Sequence, residues 1–204
     1  MDFKKILPAF SYVFHPLFTG FYGVLFYVLF ANSFVAFSKN QIIVLLIQTA
    51  ILLLFVPLSL FFLLKTLGKQ ESFTEATLKQ RQIPILIQII LFYILLQFGI
   101  SHQEHRVLYL FFSGGLLCAL GAYLLLIFKV KASLHLMGMS ALVTFVIGLS
   151  NFYTISFLNG ISFLILCTGL LASSRLYLKS HTYFELFLGL TLGVSTQLIF
   201  WRFW

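Results

Sequence analysis

Acidic side chains are scarce in this 204-residue chain: five Asp and Glu stand against thirteen Lys and Arg, and charged residues make up only 9% of it. Hydrophobic residues fill 61% of the positions, and the mean hydropathy is +1.05. So little polar surface cannot coat a soluble globule, and that class is excluded. Short alternating strands are missing as well, which excludes a transmembrane barrel; the apolar runs are unbroken and long. No basic face forms either. The cations lie between apolar runs, so the net charge of +8 is not a nucleic-acid signal. The two cysteines, Cys118 and Cys167, fall within expected spans and read as small apolar packing residues. No Cys/His cluster has zinc-ligand spacing. With no repeat, linker or composition shift, residues 1–204 read as a single integral membrane domain, all-α and polytopic.

The apolar runs predict about seven transmembrane helices, at 16–37, 41–65, 83–101, 107–128, 132–150, 156–174 and 181–201, each near the ~20 residues a bilayer requires. The start, Met1-Asp2-Phe3-Lys4-Lys5, superficially resembles a signal peptide. Its apolar stretch is too long, His15-Pro16 interrupts it and no small-residue cleavage site follows. Residues 5–14 are instead expected to be an interfacial lead-in, with His15 an interfacial residue opening the first span. Residues 66–82 form the longest polar loop and carry Glu71 and Glu75. His102, Glu104 and His105 read as a solvated loop. Gly114-Gly115, Gly121 and Gly189-x-x-x-Gly193 have small-residue spacing for close helix contact. Trp201 and Trp204 suit an interfacial aromatic anchor. Ten cations against three favour a cytoplasmic N-terminus; setting aside five that could serve chemistry leaves five against three.

Polar residues of unusual character concentrate in three places. The first is Lys79-Gln-Arg81-Gln-Ile-Pro84, with the proline opening a helix; the second is Lys131-Ala-Ser133-Leu-His135; the third runs from Ser174-Arg175 through Lys179 and His181 to Glu185. In a seven-span chain these connections emerge on one face. If residues 180–200 are helical, His181 and Glu185 lie at i and i+4, within reach of each other. A carboxylate there fixes the imidazole tautomer and leaves the other ring nitrogen to attack or to bind. The plainer reading makes Arg175 and Lys179 flanking cations and His181–Glu185 a polar helix start.

Cations with two histidines and one carboxylate suit a phosphate ester. Arg and Lys bind and neutralise it, one histidine attacks phosphorus, and a second protonates the leaving oxygen. One carboxylate is too few for a Mg²⁺ site, so the set points to metal-free phosphoryl transfer without a cofactor.

Ser174-Arg175, five residues, His181, three residues, Glu185 resembles the third motif of the type 2 phosphatidic acid phosphatase superfamily, related to vanadium haloperoxidases. That motif ends in Asp where this chain has Glu. Ala132-Ser133-Leu134-His135 resembles the second motif, Pro-Ser-Gly-His, and Lys79, Arg81 and Pro84 resemble the first in altered spacing. The resemblance covers roughly residues 79–200. It implies a phosphatase-like helical bundle in which His181 is the nucleophile, Glu185 orients it and His135 is the general acid. It further implies that Arg175 holds the phosphate, with Arg81 or Lys79 in place of the first-motif cations and Ser133 adding a hydrogen bond; Lys131, in the second segment, is expected to bind substrate as well.

The function expected is hydrolysis of an anionic lipid phosphate by an integral protein of a bacterial inner membrane. The alternative is a catalytically silent relative that binds anionic headgroups or serves as a subunit of a membrane complex. A transporter is the weaker third class, since no span interior carries the buried charges of ion coupling.

Overall fold

A computed structural model describes residues 7–31, 34, 37–68 and 77–204. Lys4, Lys5, Glu71 and Glu75, named above, lie outside the described residues. Every regular element among the described residues is helical. They are α1 (Ala9–Val13), α2 (Pro16–Ala31), α3 (Lys39–Thr66), α4 (Leu78–Gly99), α5 (Arg106–Ile127), α6 (Leu134–Phe152), α7 (Leu158–Tyr177) and α8 (Tyr183–Trp201). Six of them, α3 to α8, are long and apolar enough to cross a bilayer. Among the described residues of the expected first span, 16–37, the helix α2 covers 16, short of a ~20-residue crossing.

Helix starts follow local chemistry. Ser38, Thr77 and Thr182 each cap the helix that follows and close a reciprocal box with Gln41, Gln80 and Glu185. The Thr77 cap starts α4 five residues earlier than the apolar pattern indicates. Pro84 therefore lies inside the helix rather than opening it. Two wide π turns occur, Ile51–Phe55 in α3 and Leu95–Gly99 in α4.

Three helix ends share one device. Lys129, Thr154 and Lys179 take left-handed backbone at φ 59°, 53° and 52°. The next residue then donates back across the turn: Val130 to Leu125 at 2.8 Å, Ile155 to Ser150 at 3.0 Å, Ser180 to Arg175 at 3.1 Å. This is the usual helix-ending motif with no glycine at its left-handed position.

The bundle is built around α6. Two thirds of its central window, 67%, is buried, against 17% for α3, so α6 is the axis and α3 a lipid-facing flank. Helices α2, α5, α7 and α8 pack on α6, and the Phe111 and Phe145 rings stack at its centre, 4.1 Å between centroids. Gly189 and Gly193 let α8 ride directly on the α6 backbone. A Cβ at Gly189 would lie 2.5 Å from the Ser133 carbonyl oxygen, and one at Gly193 would collide with Ser140 and Met137. Trp204 stacks edge-on against Phe145 and Phe152, so the expected anchor also closes the core. Residues 9–13 pack on α7 with Ser11 fully buried, a docked helix rather than an interfacial lead-in.

Candidate functional site

The polar cluster sits where α1, the start of α4, and the α5–α6 and α7–α8 connections meet. The left-handed turns at Lys129 and Lys179 send both connections inward. There Lys131 Nζ donates to the Ser180 carbonyl at 2.7 Å, and the Ser133 N–H donates to the Glu185 carbonyl at 3.0 Å. The two loops are thereby stitched together, and each delivers a histidine.

His181 has a side chain with no exposed surface, held at both ring nitrogens. Nδ1 lies 2.6 Å from Glu185 Oε2, and Nε2 lies 3.3 Å from Arg81 Nη2. A guanidinium only donates, so Nε2 is the acceptor and Nδ1 carries the proton to the carboxylate. Burial first, then the Arg81, Lys131 and Arg175 charges, pushes the His181 pKa down to about 2. The ring is neutral at pH 7, with its Nε2 lone pair facing cations. Glu185 also closes the capping box of α8, its Oε2 accepting from Thr182 N–H at 3.4 Å. The longer arm of Glu reaches both partners from one helical position.

The remaining residues arrange around this ring. Arg81 is buried, and its second nitrogen, Nη1, donates to the Ala132 carbonyl at 3.0 Å. Lys79, two residues earlier, is exposed; among the described residues no hydrogen bond joins it to the cluster, so Arg81 is the first-loop cation that the fold places there. Arg175 is fully buried, with Nη1 donating to Ser11 Oγ at 3.4 Å. His135 is buried on the first turn of α6, its Nε2–H donating to the Ser11 carbonyl at 3.1 Å. Ser133 Oγ is buried and has no hydrogen-bond partner among the described residues, which leaves its hydroxyl free for a ligand oxygen.

The sequence reading gave Ser11 no part and made His15 an interfacial residue; the structure brings both to the cluster. Ser11 bridges the second and third loops: its carbonyl takes His135, and its hydroxyl meets Ser174 Oγ at 2.8 Å as well as Arg175. His15 lies edge-to-face on His135 with 5.1 Å between centroids, and its Nδ1 accepts from Leu17 N–H at 3.3 Å. The available signal was spacing, since Ser11 and His15 are four apart in an otherwise apolar segment.

Arg81, Leu134, His135 and His15 also line a cavity of about 230 Å³ that runs into the bundle. His181 and Arg175 stand beside it rather than on its wall. On the opposite face, His105 is buried rather than solvated. Tyr27 Oη lies 3.3 Å from its Nδ1, Phe37 packs on the ring, and burial lowers its pKa against the opposing pull of Glu104. Among the described residues no three His, Cys, Asp or Glu side chains are grouped to hold a metal ion.

These helices define a polytopic α-helical integral membrane protein, with a buried cluster of histidines and cations at one end of its bundle. No protein-family model matches the chain, and neither a curated protein nor a solved structure resembles it.

Proposed function

We propose that the protein hydrolyses a phosphate ester of a membrane lipid without a metal, through a phosphohistidine at His181. The observation that carries this reading is the fixed tautomer of a buried imidazole: Nδ1–H on Glu185, Nε2 facing Arg81, with Arg175 and Lys131 around it. A neutral ring with an oriented lone pair is the reactive form of a histidine nucleophile. Arg81 and Arg175 supply charge for the equatorial oxygens, and Ser133 Oγ supplies a hydrogen bond.

In the proposed sequence His181 Nε2 attacks phosphorus as the bond to the lipid oxygen breaks. His135, anchored through Nε2–H on the Ser11 carbonyl, has to take up a proton at Nδ1 despite its burial beside Arg175, and then gives that proton to the leaving alkoxide. Water then attacks the phosphohistidine, and its proton returns to His135. Phosphate leaves and His181 regains its lone pair. Two positive arginines hold the phosphate throughout, so His135 is the single group asked to change protonation state.

A second reading, a silent binder of anionic headgroups, draws on a different observation. The one N–H that a neutral His135 carries on Nε2 is already donated to a backbone carbonyl. Phosphate release from a panel of lipid mono- and diphosphates by the purified protein separates the two. Turnover by wild type and none by His181→Ala supports the hydrolase. Binding of the same lipids with no release across the panel would establish the silent binder.

A further inference from the structure

The cavity behind Arg81 and His135 is otherwise walled mostly by apolar side chains. Leu60 and Leu64 of α3, Phe112 and Ala119 of α5, and Met137 and Ala141 of α6 form its walls. Thr19 and Gln197 reach it from α2 and α8, but their donors go to the carbonyls of Pro16 and Phe111, at 2.8 and 3.1 Å. Gln88 adds one amide on the α4 wall. Its volume is about 230 Å³, whereas an apolar cavity of ~150 Å³ takes one benzene, so the space matches roughly nine carbons. Two hydrocarbon tails do not fit side by side in that volume.

We infer that this cavity holds the head-proximal part of a single hydrocarbon tail of a membrane lipid whose phosphate head is seated among Arg81, His181 and Arg175. The inference rests on the phosphate reading of that cluster and adds the tail. Charge complementarity selects the occupant: Arg81 on the wall of a mostly apolar cavity, with His181 and Arg175 beside it, fits an anionic amphiphile and neither a free phosphate nor a neutral chain. The α3 wall is the flank least covered by protein, so the tail enters from the bilayer beside it. A second tail, where the lipid has one, remains in the bilayer. Ala119 and Ala141 are the specificity-determining positions, because their small side chains leave the room that the tail fills.

The test uses the full chain in lipid nanodiscs and a dodecyl phosphate bearing a diazirine midway along its tail, with labelled peptides mapped by mass spectrometry. Labelling is expected on the cavity segments around Ala119, Met137 and Ala141. Unlabelled dodecyl phosphate should compete and inorganic phosphate should not. Ala119→Leu should reduce cavity labelling severalfold, and Ala141→Leu serves as a second, independent filling in case the first misfolds. Equal cavity labelling by a dodecanol probe of the same design would overturn the inference, as would labelling confined to lipid-facing residues such as Phe62 and Leu63. If no lipid phosphate is hydrolysed yet labelling still depends on the phosphate head, the hydrolase reading falls while this one stands.

Discussion

Arg81 and His181 lie 100 residues apart in the chain, and Nη2 of the first meets Nε2 of the second at 3.3 Å. The contact sets the polarity of the site, since the guanidinium can only donate and the ring must present its lone pair. Arg81→Lys preserves the charge but cannot span both the ring and the Ala132 carbonyl. Turnover of a lipid phosphate is expected to fall about 10- to 100-fold, with the fold intact by thermal unfolding. His181→Ala is expected to remove turnover altogether. A burst of ³²P-labelled protein in wild type, absent in the alanine variant, is the direct check.

Glu185 serves the ring and the helix cap together. Glu185→Gln keeps the length and the cap but weakens support for the ring proton, so a partial loss of about tenfold or more is expected. Glu185→Asp restores the residue of the resembled motif, yet its shorter arm cannot reach both Thr182 and His181. It is expected to be less active than wild type. Aspartate matching or exceeding wild-type kcat/KM would refute the double role. Thr182→Ala should lower stability by about 1 kcal/mol through loss of the cap.

The depressed pKa of His181 has a stability consequence with a definite sign. The folded ring titrates near 2 and the unfolded ring at its ordinary value of about 6.5. Between those values the unfolded chain binds the extra proton, so stability falls as pH drops below about 6.5, at up to ~1.4 kcal/mol per unit. His105 contributes in the same direction. The measurement is therefore a difference: thermal unfolding from pH 7.5 to 5 for wild type and His181→Asn, with a shallower decline expected for the variant. Parallel declines would place the ring's neutrality in doubt.

Lys129 and Lys179 occupy left-handed turns where glycine meets no steric cost. Lys179→Gly and Lys129→Gly are each expected to change stability favourably by about 0.5–1 kcal/mol, partly offset by glycine's greater unfolded-state freedom. Unfolding midpoints in one detergent decide the matter, and a loss exceeding 1 kcal/mol would show that the lysine side chains contribute more than the strain removes.

The helices and the polar segments were legible because both are local. Long apolar runs specify spans, and His181-x-x-x-Glu185 specifies a face by helical spacing alone. What stayed hidden depends on neighbours distant in sequence. The spacing of Ser11 and His15 hints at a shared polar face, but it does not say that the Ser11 carbonyl meets His135 or that its hydroxyl meets Ser174 and Arg175. The choice between Lys79 and Arg81 follows from helix rotation, fixed by the Thr77 cap rather than by the apolar pattern. Pro84 misled by looking like a start signal, and the burial of His105 under Tyr27 and Phe37 reverses what a polar loop normally indicates.

The hydroxyl contact between Ser11 and Ser174 spans 163 positions, and this gives the cluster a place in biosynthesis. A nascent chain emerging in order presents Ser11 and His15 first, Arg81 and His135 later, and Arg175 with His181 near the end. Until the last two helices are in the bilayer, the Ser11 hydroxyl lacks Ser174 and Arg175, and Arg81 Nη2 lacks His181. Insertion of α7 and α8 is thus the event that assembles the cluster, and on the proposed reading an earlier insertion intermediate is inert toward the anionic lipids surrounding it.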